Sequence, residues 1–218
     1  MKILITAGGT EEPVDGVRCL TNSSTGATGG VLARFFAERG AEVLLLHAAR
    51  AQLADIAVER EEFITFADLA RTLEDLLVNR DWDAVVHLAA VSDYSVASVE
   101  VDGKEMTPGA EGKLGSGREV VIRLLPNPKL IDNLRKWSRN PAIRIVGFKL
   151  TDEPDPGRRS AQVKALLERG VADLVVHNDI HEIGGERHLA TIHDRQGAIV
   201  RTETKQQLAE KLWRVLAA

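Results

Sequence analysis

The sequence predicts a doubly wound, mainly parallel α/β sheet. Strand-like and helical runs alternate along almost the whole chain, two of the strand-like runs are nearly continuously apolar, and glycine clusters follow the first strand. Alternation of this kind builds βαβ units, and a continuous apolar run suits a strand covered by helices on both faces. KILIT opens the series as a strand, followed by VLARFFAERG as a helix starting near Ala27, AEVLLLH as a strand and FITF as a short strand. ADLARTLEDLLVNR then reads as a helix and DAVVHLAAV as a buried strand. Beyond a Gly/Pro-rich stretch from Thr107 to Gly117 the rhythm is expected to continue. EVVIRLL is the next strand, then a helix over about Lys129 to Trp137, the strand RIVGFKL, a helix near Ser160 to Arg169 and the strand DLVVHN. HLATIHD and AIVRTE flank Arg195-Gln196-Gly197 and read as an antiparallel hairpin appendage, and KQQLAEKLWRVL closes as an amphipathic helix. A single Rossmann-like domain over residues 1–218 accounts for all of these elements. Its ligands are expected just beyond the carboxyl ends of the strands.

Composition narrows the function. With 218 residues, 44% hydrophobic and 28% charged, the chain can bury one sizeable core. A net charge of −4, from 28 Lys+Arg against 32 Asp+Glu, offers no broad basic footprint, so nucleic acid is not an expected partner. No apolar run approaches the roughly 18 residues of a spanning helix, and MKILITAGG carries no signal-peptide pattern. A cytoplasmic location without a membrane partner is therefore expected. The lone Cys19 cannot close an internal disulfide, which agrees with a reducing compartment.

The strand ends carry the candidate chemistry. After KILIT come Gly8-Gly9-Thr10 and, before the first helix, Thr25-Gly26-Ala27-Thr28-Gly29-Gly30. Backbone N–H groups at such a helix start can hold an anion, although the same glycines also serve plain tight turns. No G-x-x-x-x-G-K-[ST] occurs, which excludes the P-loop route to a triphosphate. Arg18 and Asn22 stand just before the glycines, as a cation and an amide beside the presumed anion site or as ordinary loop residues. At the end of VVHLA, Ala89 and Ala90 permit close approach, and Asp93 suits either Mg²⁺ beside phosphates or a helix N-cap. Lys113, in Gly112-Lys113-Leu114-Gly115-Ser116-Gly117, sits on a flap able to close over a triphosphate or on a plain surface loop. His177 and His181 lack a further ligand set that would make a metal site.

Taken in order, TAGGTEEPVDGVRCLTNSSTGATG, AAVSDY, GKLGSG, LLPNPKLI, VGFKLTDEP and ADLVVHND resemble phosphopantothenoylcysteine synthetase over nearly the whole chain, in the stand-alone form rather than the form fused to a decarboxylase. The resemblance implies that 4′-phosphopantothenate is joined to L-cysteine in coenzyme A synthesis. CTP, or alternatively ATP, with Mg²⁺ activates the carboxylate as an acyl-nucleotide that the cysteine amine then attacks. It further implies that Asn22 holds the acyl-nucleotide, Arg18 serves the anionic substrate and Lys113 is the flap lysine of the first half-reaction. Gly8, Ser24, Gly26, Gly29, Ala89, Ala90, Phe148 and Asn178 would approach the nucleotide, Asp93 would meet its ribose, base or Mg²⁺, and the enzyme would be a homodimer. The chain departs from the family pattern at Ser24-Thr25-Gly26, where Ser-Ser-Gly is usual, and at His177-Asn178-Asp179, where Ala-Asn-Asp is common. An extra stretch from about Val96 to Ala110 precedes the flap, and the family's basic pair before the last parallel strand is shared ambiguously between Lys164 and Arg169.

Two other readings compete. Thr25-Gly26-Ala27-Thr28-Gly29 before a helix resembles the glycine motif of an NAD(P)-dependent short-chain reductase, but the sole tyrosine, Tyr94, is followed four residues on by Ser98 where that chemistry needs lysine. A non-catalytic nucleotide- or flavin-binding module is the other, since such a fold by itself implies no chemistry.

Overall fold

The computed structural model describes residues 1–110, 112–184 and 187–218. In chain order the elements are β1 (Lys2–Ala7), β2 (Glu11–Pro13), β3 (Cys19–Thr21), α1 (Ala27–Ala37), β4 (Glu42–Ala48), β5 (Glu59–Phe63), α2 (Phe66–Asn79) and β6 (Ala84–His87). They continue with β7 (Tyr94–Val101), β8 (Lys104–Met106), β9 (Val120–Pro126), a 3-10 turn (Leu130–Asp132), α3 (Leu134–Trp137), β10 (Arg144–Thr151) and α4 (Pro156–Glu168). The last are β11 (Leu174–Asp179), a 3-10 turn (Ile180–Glu182), β12 (Ile183–Gly184), β13 (Arg187–His188), β14 (Ala190–Asp194), β15 (Gly197–Thr202) and α5 (Lys205–Ala217).

An eight-stranded sheet in the order β15-β14-β11-β10-β6-β1-β4-β5 forms the centre. Six of these strands are parallel, and β14 and β15 add the expected antiparallel hairpin at one edge. Side chains alternate between two cores, as the period of a strand demands. Ile3 and Ile5 face a cluster built with Leu32 and Phe36 of α1 and Leu208 and Leu212 of α5. Leu4, Leu44 and Leu46 face a second cluster built with Leu69 and Leu73 of α2, Leu134 of α3 and Val163 of α4. Strand order reverses between β1 and β6, which opens a crevice at their carboxyl ends. Local signals set the helix starts. Thr65 and Asp68 form a capping box on α2, Asp155 caps α4 with a proline in its first turn, and Thr204 caps α5.

Several expectations shift. The short strand is Glu59–Phe63 rather than FITF, because the Thr65 cap claims the residues after Phe63 for the start of α2. The stretch from Lys129 to Trp137 is a 3-10 turn and a four-residue helix, not one helix. EVVIRLL does not continue the central sheet. As β9 it pairs antiparallel with β7, which in turn pairs with β8. The strand reading of β7 and β8 was missing from the sequence, so the extra stretch is a hairpin. One face of this small sheet packs only on a satellite cluster of Val14, Val99, Val101 and Leu114, and β9 stays partly or wholly exposed at every residue. The polar segment between the two glycine clusters likewise contains a hairpin, β2 with β3.

Candidate functional site

The crevice begins where β1 and β6 diverge. Gly8 O accepts the Ala90 N–H at 2.8 Å and Thr10 N–H donates to Ala90 O at 3.2 Å, so the two loops are stitched together before they part. Beneath them Thr6 Oγ1 accepts the Ala89 N–H at 3.1 Å and lies 3.0 Å from Nδ1 of His87. Burial pushes the His87 ring down to a pKa of about 4, so the floor of the crevice is neutral near pH 7. Asn22, at the end of the β2–β3 hairpin, donates its side-chain amide to Val91 O at 3.2 Å and leans over the opening.

α1 begins with Gly26 in the left-handed region at φ 73°, where a side chain would be strained. A Cβ on Gly29 would stand 2.4 Å from that of Ala7, so this glycine lets the helix sit directly on β1. The first turn of α1 has no cap from Gly26 and no acidic residue; the Ala27 N–H meets Thr25 Oγ1 at 3.4 Å, and those of Thr28 and Gly29 are left to face an anion.

The resulting cavity measures about 870 Å³ and runs along the carboxyl ends of β6, β10 and β11. Asn22, Ser24, Gly26, Ala89, Ala90, Asp93, Phe148 and Asn178 all line it, as do Lys129, Arg169, His188 and Lys205. Gly8 and Gly29 support it from behind and do not line it. Asp93 is followed by a strand and caps no helix; its carboxylate pairs with Lys129. Arg169 reaches the cavity and pairs with Asp132, whereas Lys164 points to solvent with Glu168. Behind Asn178, Asp179 is buried, accepting from Thr151 Oγ1 at 2.5 Å and facing Arg159 at 3.2 Å. The Thr151 hydroxyl above all holds its carboxyl below the usual range, so it acts as a fixed anchor for the strand end.

Arg18 and Lys113 lie elsewhere. Arg18 donates to Asp15 Oδ2 at 3.1 Å and to Leu114 O at 3.3 Å, and Asp15 also accepts the Leu114 N–H at 3.0 Å. Arg18 therefore ties the hairpin to the flap. Lys113 borders a separate small hollow with Val14, Asp15, Met106 and Leu114. Leu114 is only 7% exposed, so the flap has an apolar anchor that its glycine-rich sequence did not suggest. Glu111, in the same stretch, lies outside the described residues.

The family model for the C-terminal domain of the DNA/pantothenate metabolism flavoprotein matches residues 1–218. The chain belongs to that family. The coenzyme A biosynthesis bifunctional protein CoaBC of Thermococcus kodakarensis is 32% identical over 213 residues, covering 97% of this chain and 50% of that protein. The CoaBC protein of Mycobacterium tuberculosis is 34% identical over 188 residues, covering 83% of this chain and 42% of that protein. The chain thus spans about half the length, or less, of these curated relatives. Among solved structures, the DNA/pantothenate metabolism flavoprotein of Streptococcus pneumoniae superposes with a TM-score of 0.87 at 27% identity, over 100% of this chain and 98% of that one. A Cab2 mutant in complex with phosphopantothenate-cysteine shares the fold, with a TM-score of 0.77 at 18% identity, over 99% of this chain and 86% of that one. Fold alone does not give function, which in an open parallel sheet is read at the switch-point crevice, here between β1 and β6.

Proposed function

We propose that the chain is a phosphopantothenate–cysteine ligase. A nucleoside triphosphate, CTP rather than ATP on the resemblance, lies along the crevice with its phosphates toward the N–H groups at the start of α1. The carboxylate of 4′-phosphopantothenate attacks the α-phosphorus, the bond to the β-phosphate oxygen breaks, and pyrophosphate leaves with the electron pair. The cysteine amine then attacks the acyl carbon and releases the nucleoside monophosphate. The observation that carries this reading is Asn22, an amide held over the switch point by Val91 O beside an acid-free helix start. Such a donor can hold the acyl-nucleotide and meet the charge that develops as it is attacked. Family membership and the names of the CoaBC relatives support the same reading.

Among the described residues no group of three or more acidic, His or Cys side chains gathers to hold a metal. Were Mg²⁺ bound with the nucleotide, Asp93, the one carboxylate on the cavity wall among the described residues and now paired with Lys129, would be the side chain to hold it, and the ion would supply charge neutralisation at the phosphates. Lys113 reaches the α-phosphate only if the flap leaves its anchor at Leu114. We also read the enzyme as a cytoplasmic homodimer. The test is direct: phosphopantothenate, cysteine, Mg²⁺ and CTP or ATP should yield pyrophosphate and the coupled amide. Hydride exchange with NAD(P)H in place of these products would favour the reductase, although Tyr94 and Ser98 both lie on β7 and bring no lysine with them. Nucleotide binding without turnover would favour the non-catalytic module.

A further inference from the structure

The crevice has a second corner, formed by α1 and α5. β15 is antiparallel to β14, which is antiparallel to β11, so β15 points the same way as the parallel strands. Hence α1 and α5 both start at the carboxyl edge and run back side by side, with the Phe36 and Trp213 rings packed 5.5 Å apart at a tilt of 40° towards their far ends. Both N-termini open towards the cavity, where Thr28, Lys205 and His188 form part of the wall. Neither helix has an acidic residue in its first turn, and Lys205 is the first residue of α5. Lys129 and Arg169, elsewhere on the wall, already face carboxylates, whereas Lys149 and Lys205 make no ion pair among the described residues, and of these two Lys205 is the one that stands at a helix start.

His188 is the independent sign of a ligand. It is 6% exposed, lines the cavity, and among the described residues neither ring nitrogen has a hydrogen-bond partner. Its main chain is fixed, the N–H donating to Glu203 O at 2.8 Å just before the cap of α5. Leaving a buried polar group unpaired costs about 1–3 kcal/mol, so a ring kept there calls for a partner that arrives with the substrate. Burial, with help from the Lys205 charge, pushes the ring down to a pKa of about 4, so near neutrality it offers an anion one N–H donor rather than a full charge.

We propose that Lys205, His188 and the first turns of α1 and α5 seat the terminal phosphates of the nucleoside triphosphate, and then the pyrophosphate that leaves. The proposal rests on the ligase reading and adds to it the site that receives the leaving group. As the bond from the α-phosphorus to the bridging oxygen breaks, the electron pair moves onto pyrophosphate. The Lys205 ammonium stabilises that charge where it forms, together with the first-turn N–H groups other than those of Ala27 and Gln207, which Thr25 and Thr204 already take.

Calorimetric titration of the full chain with inorganic pyrophosphate, CTP and CMP tests this, with ATP and AMP run in parallel. Lys205→Met should weaken pyrophosphate and triphosphate binding about tenfold or more, as loss of a charge-assisted contact does, and leave monophosphate binding within about twofold. His188→Leu should weaken the same two ligands less, and His188→Gln should restore part of the loss; thermal unfolding checks that both variants fold. Equal loss of monophosphate and triphosphate binding in Lys205→Met, unchanged pyrophosphate binding, or no pyrophosphate binding by the parent chain would overturn the assignment. A parent that binds pyrophosphate through Lys205 but forms no amide would overturn the ligase reading and keep the corner. An active ligase whose Lys205→Met variant holds pyrophosphate normally would do the reverse.

Discussion

Asn22 can be changed with little effect on the fold, because it is exposed and its amide meets only carbonyls of the β6 loop. Asn22→Ala or Asn22→Asp should move unfolding stability by no more than about 0.5 kcal/mol. Amide formation should slow by roughly 10²-fold while activation persists, the scale seen when one donor to a developing charge is removed. Single-turnover product analysis should then show acyl-nucleotide accumulating; normal amide formation in both variants would remove Asn22 from the mechanism. Asn22, Ser24, Gly26, Ala89, Ala90, Asp93, Phe148 and Asn178 were legible in sequence because each lies in a local motif at a strand or helix end, and all eight line the cavity. His188 and Lys205 were not legible. They face the crevice only because the C-terminal hairpin returns α5 alongside α1, a juxtaposition that no local pattern carries.

The flap carries an anchor that its glycine-rich sequence does not display. Its glycines imply free movement, yet one leucine in the right register anchors it in the satellite cluster, and Asp15 accepts the N–H groups of Val17, Arg18 and Leu114. The Leu114 N–H in particular holds the Asp15 carboxyl below its ordinary value of 3.8, against the opposing effect of burial. With the folded value depressed, this contribution to docking is fully present above the unfolded value and is lost as pH falls through the depressed one. Hydrogen exchange corrected for the intrinsic rate should therefore show Leu114 protected at neutral pH and released as pH falls through the depressed Asp15 value, and Asp15→Asn should show release at neutral pH too; a variant as protected as the parent would discount the carboxylate. Lys113 itself is exposed and contributes no burial. Lys113→Gln should accordingly keep its unfolding stability within about 0.5 kcal/mol while slowing pyrophosphate release by roughly 10²-fold. Parental activation rates in Lys113→Gln would mean that the flap closes without a catalytic lysine.

At the scale of the whole molecule, the parallel sheet was legible because both its faces are covered and its strands are correspondingly apolar, while the small sheet of β7, β8 and β9 was hidden by its half-exposed pattern. That difference bears on assembly. β15 ends the central sheet with a free strand edge, which could pair with a second copy, but Ile199 is its one exposed large apolar residue. The small sheet instead exposes Val121 and Leu125 together on the face of β9 turned away from the satellite cluster, with Tyr94 and Leu124 exposed on the opposite face, between 41% and 52% each. Grouped apolar exposure marks contact surfaces more strongly than a single edge residue does. If the chain is a homodimer, sedimentation equilibrium should find Leu125→Glu monomeric and Ile199→Glu still dimeric, since only the first buries a charge in an apolar contact. The reverse result would restore the β15 edge. Because the small sheet also carries the flap between β8 and β9, the monomeric variant should lose more of the activation step than of nucleotide binding; a fully active monomer would separate assembly from catalysis.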